Sequence, residues 1–554
     1  MKSGRQIFRG DNTLKTVFWK VNFKLYYELK IMRSSIFLFF VFIGAIVHAQ
    51  EDKQTIIASE IFWDEEFKTT LLFAKEDSNG DIFTVRNYYS SVSNPQGYYI
   101  EHYDKDLKLL DKTSIEVTRN ELKGLFITDN SVILLQFQYN YKEKEYAFAT
   151  LTSNKNKFNF TEKKIFTIDR KRLDKYDHFG IRSEPEFNLY HHNNLGDIVT
   201  SQNGEFIAIN IFTKTKEGNV LLTHVFNKNF ERIYEYEFEN IITLTEASNK
   251  ELSLDYQNMV LDNHGKVFFL GKIYGDHLKK EGVKNSPKYY FILFSADAVS
   301  KKQEIISIES NNFIHSLQLV TKDNQLAAVG FYFDPNTGGY SFNSGVDYNG
   351  VVRFNIKPET LETISESFQP FSEEFMIEKY GKVKGKMKTY LSYRSIFMLD
   401  NADVVINAEE FEMYLSDDGI NAKRIYKDII GCRISGKGSL MWAKNINKKQ
   451  KTWELDDMPF LSYTATVHNN ISYYFVNAAS ELKLLKNNEI ELTEGSRLYL
   501  LKISETGNFT YNKLLYNDIY NAHLGLRFGV LINNSDFLVQ AESNNKPLLV
   551  KIAF

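Results

Sequence analysis

The chain of 554 residues holds one cysteine, eight prolines and 29 glycines, and each scarcity closes off a class of protein. A lone Cys432 excludes an internal disulfide framework, so stability must come from packing. Few prolines and glycines beside 44 phenylalanines and 33 tyrosines exclude a disordered or collagen-like chain. No apolar run reaches the roughly 20 residues needed to cross a bilayer. Glycine-rich phosphate loops, a G-x-S-x-G elbow and H-E-x-x-H are absent. Cofactors and metals are therefore not expected, and Cys432, in the apolar run DIIGCRI, reads as a buried strand residue rather than a nucleophile.

The strongest local signal near the start is the segment Met32 to Gln50, MRSSIFLFFVFIGAIVHAQ. A basic residue, an apolar stretch from Ile36 to Val47 and small residues before Gln50 read as a secretory signal over residues 32–49. Residues 1–31 are then a basic leader or a mis-assigned start. Export is the expectation, to the periplasm, the outer surface or the medium, with residues 50–554 as one domain and no integral membrane segment in the mature chain. Without the first 49 residues the chain carries 59 basic and 68 acidic side chains. That balance argues against nucleic acid, whose phosphates attract basic stripes, and against anionic membrane surfaces. The basic run KYGKVKGKMK, Lys379 to Lys388, reads as a solvated loop.

A short polar turn recurs eight times, centred on Asn79, Asn130, Asn203, Asn263, Asn324, Asn401, Asn470 and Asn534. The period is loose, about 65 residues, which marks repeated supersecondary units. Each turn lies between two strand-like runs, and two more runs follow before the next. Four strands per unit is the pattern of a β-propeller blade. The second and third runs are apolar almost throughout, as in Val132 to Phe137 and Tyr289 to Phe294, which fits strands covered on both faces. The fourth alternates: in ERIYEYEFE, Tyr234, Tyr236 and Phe238 point one way, and Glu235 and Glu237 the other. A second set of turns, at Asp104, Asn227, Gly436 and Gly507, joins the third and fourth runs.

The last unit has only three runs, and TIIASEIFW, Thr55 to Trp63, has no unit of its own. Pairing the two would close a ring of eight blades; seven blades with an irregular segment is the alternative. A string of β-sandwiches fits poorly, because each needs about seven strands per 100 residues. The expected fold is thus all-β, a single closed propeller.

In such a meander the one-to-two and three-to-four turns share one end and the remaining loops share the other. Nearly every insertion falls in the second set: Asp169 to His192, Gly275 to Pro287, Asp334 to Gly350, Gln369 to Thr389, Leu415 to Lys427, Lys448 to Phe460 and Ser480 to Glu494. Long loops on a rigid scaffold are where recognition usually resides. The loop after the second unit is the richest, with His178, Arg182, Glu184 and Glu186. His178, His191 and His192 lack metal-ligand spacing. DPNTGG at Asp334 reads as a turn, since Gly345 stands where a calcium loop needs its acid. Tyr340, Tyr348, Trp453 and Asp456 add aromatic and acidic groups suited to stacking on a sugar or anchoring a peptide.

The stretch from Ser392 to Ala478, with DNADVVINAEEFEMY, DIIGCRISGKGSLMWAKNINKKQ and ISYYFVNAA, resembles exported propeller-like proteins of Gram-negative bacteria whose activity is uncharacterised. That resemblance implies a fold and no functional residue. The expectation is a monomeric module that binds a protein or glycan at the long-loop face without catalysis. The alternative is a carbohydrate-active enzyme with paired carboxylates there, roughly 5 to 10 Å apart.

Overall fold

Eight blades follow one another along the chain and form an eight-bladed β-propeller; six are antiparallel four-stranded sheets, and the sixth and eighth are enlarged to six and five strands. The computed structural model describes residues 54–62, 68–89, 95–116, 120–173, 196–214, 219–238, 253–274, 289–306, 312–334, 340–341, 345–416, 422–453, 458–478, 490–491, 497–514, 522–543 and 546–554. Blade 1 comprises Lys68–Glu76, Ile82–Tyr89, Pro95–Tyr103 and Leu109–Glu116. Blade 2 comprises Asn120–Ile127, Ser131–Asn140, Glu145–Asn154 and Lys157–Asp169, and blade 3 Gly196–Thr200, Phe206–Lys214, Asn219–Asn227 and Arg232–Phe238. Blades 4 to 7 begin at Ser253–Leu261, Phe313–Lys322, Leu391–Met398 and Thr464–His468. All eight asparagine turns join first to second strands, as the spacing predicts.

Blade 8 is the closure. Its strands Phe537–Ser543 and Lys546–Ala553 pair with each other, and Thr55–Ala58 from the beginning of the chain adds to the outside of Lys546–Ala553. Backbone bonds from Ser59 to Leu549 (2.9 Å) and from Phe62 to Pro547 (2.8 Å) continue that pairing. Joining both ends removes two free strand edges, each of which would otherwise template aggregation. The count of eight expected from the sequence is therefore correct.

The hydrophobic core lies in the seams between blades, which explains why the middle strands are apolar on both faces. Ile133, Leu135 and Phe148 of blade 2 meet Ile207, Ile209 and Ile211 of blade 3. Phe268 and Phe291 of blade 4 meet Leu319 and Phe354 of blade 5 in the same way. Cys432 is fully buried in the seam of blades 5 and 6, and burial pushes its thiol well up from the ordinary range. Outer strands are wet: every residue of Leu109–Glu116 is exposed or half-buried.

Innermost strands share a device that the sequence did not reveal. In blades 1, 2, 4, 5 and 6 the register between first and second strands slips by one residue, at Leu72, Lys123, Gln257, His315 and Arg394. A bulge strengthens local twist, which suits a strand crowded around a central axis.

The short-turn end is stitched from blade to blade. Arg353 in the third strand of blade 5 donates to the carbonyls of Ala402 (2.8 Å) and Ser435 (3.1 Å) in the two turns of blade 6. Arg433 of blade 6 donates to Asn470 (3.1 Å) and meets Glu505 (3.2 Å), both on blade 7. Lys551 of blade 8 reaches Glu76 of blade 1 at 2.6 Å, across the closure.

Candidate functional site

At the long-loop end the sheet of blade 6 is extended beyond the blade. Its second and third strands, Val404–Leu415 and Ala422–Ile434, run to 12 and 13 residues, so they project beyond the blade. A further strand, Lys448–Thr452, pairs with the projecting part of the third through Arg424, Ile425 and Tyr426. The insertion Gln369 to Thr389 packs beside this extension and holds a helix, Glu373–Tyr380. Ser372 caps that helix by accepting from the Phe375 amide, two glutamates occupy its first turn, and Gly381 at φ 69° closes it. These signals are legible in the sequence as SEEFMIEKYG, and the all-β reading passed over them.

Three cations and three carboxylates are buried where helix and extension meet. Lys379 of the helix donates to Glu410 (2.6 Å) and Asp428 (2.9 Å). Lys448 donates to Glu409 (2.6 Å), whose other oxygen accepts from the Ser462 hydroxyl (2.5 Å) at the start of blade 7. Arg394 lies 3.9 Å from Glu409 and donates to the carbonyls of Tyr463 and Arg527. The Lys448 amide donates to Asp428 (3.1 Å), so the pairs form one lattice.

A bulge makes this geometry possible. Glu409 pairs with Ile429 and Phe411 with Tyr426, which leaves Glu410 opposite both Lys427 and Asp428. Adjacent glutamates on a regular strand would face opposite sides; here each still finds its own lysine. Burial acts against both lysines, and their partners decide the outcome. For Lys379 the attraction of Glu410 and Asp428 overcomes burial and raises the pKa. For Lys448, burial outweighs Glu409 and the pKa falls. Burial likewise raises the Glu410 carboxyl despite Lys379. The basic run expected as a solvated loop is corrected at one end: Lys382, Lys384 and Lys388 are exposed, but Lys379 is an interior ion-pair partner.

Above the lattice the extension presents a lateral row. Tyr414 pairs with Lys423 across the first two strands, and the Lys423 ammonium lies 5.6 Å from the Trp453 ring centroid at the end of the third. Tyr414 is 52% exposed and Trp453 48%. The row is therefore aromatic, cation, aromatic on one sheet.

Of the residues singled out in the sequence, His178, Arg182, Glu184, Glu186 and Asp456 lie outside the described residues. Trp453 stands in the exposed row. Tyr340 begins a two-residue strand paired with Gly345–Tyr348. Tyr348 is buried at 2% exposure, its ring 5.7 Å from Phe331 and 6.4 Å from His315, so it packs the top of blade 5. Sequence reasoning missed Tyr414, Lys423 and the charge lattice. The signal was the adjacent pair Glu409 and Glu410 in a largely buried strand, which can only be accommodated if partners arrive from elsewhere.

No family model matches the chain, and no curated protein does. Solved structures do. It is similar to polysaccharide lyase Uly1 at 9% identity and a TM-score of 0.38, over 87% of this chain and 89% of that one. It is similar to the β-propeller domain of the Trilobed protease from Pyrococcus furiosus at 9% identity and a TM-score of 0.35, over 82% and 98%. With a prolyl endopeptidase the identity is 11% and the TM-score 0.31, over 79% of this chain and 46% of that one. The chain thus spans about half the length of that peptidase. The propeller assignment rests on the eight sheets themselves, and these likenesses say nothing of binding or chemistry.

Proposed function

We propose that this protein is an exported binding module that engages a protein or glycan at its long-loop face, as a monomer and without catalysis. The observation that supports this reading is the row of exposed Tyr414 and Trp453 with half-buried Lys423 between them, carried on a sheet extension that is anchored by the buried charge lattice. Large aromatic side chains on a preorganised surface contribute contact area at little entropic cost. The enzymatic alternative needs carboxylates facing a cleft; Glu409, Glu410 and Asp428 are instead engaged by lysines. Export rests on the segment Met32 to Gln50, and resemblance to exported Gram-negative propellers agrees with it.

The test is a screen of residues 50–554 against a defined oligosaccharide panel and a displayed-peptide library, followed by Trp453→Ala on each hit. A tenfold or greater loss of affinity, about 1.4 kcal/mol, with unchanged melting is expected. Unaltered affinity removes the row from the site. Amino-terminal sequencing of the periplasmic or secreted protein checks export, which requires a start at Gln50.

A further inference from the structure

A second site stands far from that row, in the outer rim of the seam between blades 2 and 3. A groove of about 650 Å³ runs there between the outer strand of blade 2 and the outer half of blade 3. That volume falls in the range of small-molecule sites. Its floor is Phe166 with Leu222 and His224, and one wall is Glu235 and Glu237, the two acids that alternate with Tyr234, Tyr236 and Phe238. Strand register explains the arrangement: Leu222 pairs with Glu237 and His224 with Glu235, so all four point into this seam. The intervening aromatics face blade 4, where the Tyr234 hydroxyl lies 2.7 Å from the Gly265 carbonyl oxygen and 2.8 Å from that of Ala296 and donates its one hydrogen between them.

An arginine stands at each end. Arg172 pairs with Glu237 at 2.8 Å and donates to the Thr213 hydroxyl at 3.0 Å. Arg232 pairs with Glu235 at 2.7 Å and donates to the Ile165 carbonyl at 2.9 Å. Between them His224 is 3% exposed and stacks on Phe166 with centroids 3.9 Å apart. Burial, reinforced by Arg232, pushes this imidazole down to about 3, so at neutral pH it is uncharged and offers one donor and one acceptor. Neither ring nitrogen makes a hydrogen bond of proper geometry to a described residue, although Nδ1 lies 3.2 Å from Glu235. The Nε of Arg172 is likewise buried and unmatched.

We infer that this groove binds a short neutral saccharide, edge-on to the propeller. Hydroxyl groups both donate and accept, which matches alternating guanidinium and carboxylate groups beside unmatched ring and guanidinium nitrogens, while Leu222 and the edge of the Phe166 ring, whose two faces are covered by His224 and Phe148, supply an apolar floor. An anionic ligand fits less well, because Glu235 and Glu237 already face both arginines. The site is independent of the loop-face row, and neither reading needs the other.

The experiment uses the protein from residue 50 onward with four probes at millimolar concentration: maltotriose, cellotriose, xylotriose and triacetylchitotriose. Sulfate and citrate serve as anion probes. Thermal shift and saturation-transfer NMR report binding. At least one trisaccharide is expected to raise the melting temperature, with affinity falling about tenfold or more in Glu237→Gln, whose side chain is largely outside the core, and staying unchanged in Trp453→Ala. Arg172→Gln provides the second variant if the first does not fold. No response to any trisaccharide, a response that survives both groove variants, or a response confined to sulfate and citrate each overturns the inference.

Discussion

At the short-turn end one device is used again and again, whereas at the long-loop end of blade 6 a single lattice occurs once. Asp77, Asp104, Asn227 and Asp262 each accept from the amides two and four residues ahead, folding their turns through their own side chains. Every such turn is local, and its chemistry is contained in a handful of consecutive residues. The lattice of Lys379, Lys448, Arg394, Glu409, Glu410 and Asp428 joins residues up to 69 positions apart by number, on one helix and four strands. Repeated local devices hold an end together redundantly. A unique long-range one concentrates its cost of failure in single residues.

That contrast can be broken most sharply at Lys448. Lys448→Met removes the cation in direct contact with buried Glu409 and leaves only Arg394 at 3.9 Å, and a loss of about 3–5 kcal/mol is expected, read as a fall in the urea midpoint. A loss below about 1 kcal/mol would mean that water reaches the lattice. Acid comes next. His224 and His315 are both pushed down to about 3, chiefly by burial, from an ordinary value near 6.5. Between those values the unfolded chain binds protons that the folded chain does not, so stability is complete above about pH 6.5 and falls as the pH drops toward 3. His224→Gln should flatten the melting profile across that window, and an unchanged slope would assign the acid loss to other groups.

A turn substitution should matter less. Asp262→Ala removes two side-chain to amide bonds, for a loss of roughly 1–2 kcal/mol, with the seven other blades retaining their own turns. Smallest of all is Trp453→Ala, expected to change stability by less than about 0.5 kcal/mol because its ring is half exposed. A large loss there would place the ring in the core and withdraw it from the binding face.

The ring was largely readable because its causes are local and repeated. Asparagine, aspartate and glycine turns, fully apolar second and third strands, and an unpaired Thr55 to Trp63 beside a three-stranded last unit together imply eight blades and their closure. Even the alternation in ERIYEYEFE was correct, since Glu235 and Glu237 do share a face opposite Tyr234, Tyr236 and Phe238. The candidate site was less readable. Trp453 was picked out beside Asp456 as an aromatic and an acid in a loop, but its approach to Lys423 depends on a strand added from 448–452, which no periodicity announces. Tyr348 looked equally suitable and turned inward, because the strand that carries it pairs with Met387–Thr389 and packs on Phe331. Lys379 sits among four other lysines of its segment, and only the approach of Glu410 and Asp428 distinguishes it.

Strand count, turn placement and the burial of Cys432 follow from the sequence alone, since hydrophobic periodicity and turn chemistry act over a few residues. Which charges end up inside, which aromatics stay outside, and that two blades leave a groove at their rim were settled only by tertiary structure. Those outcomes depend on side chains from distant segments meeting at angstrom range, where desolvation and pairing are decided together.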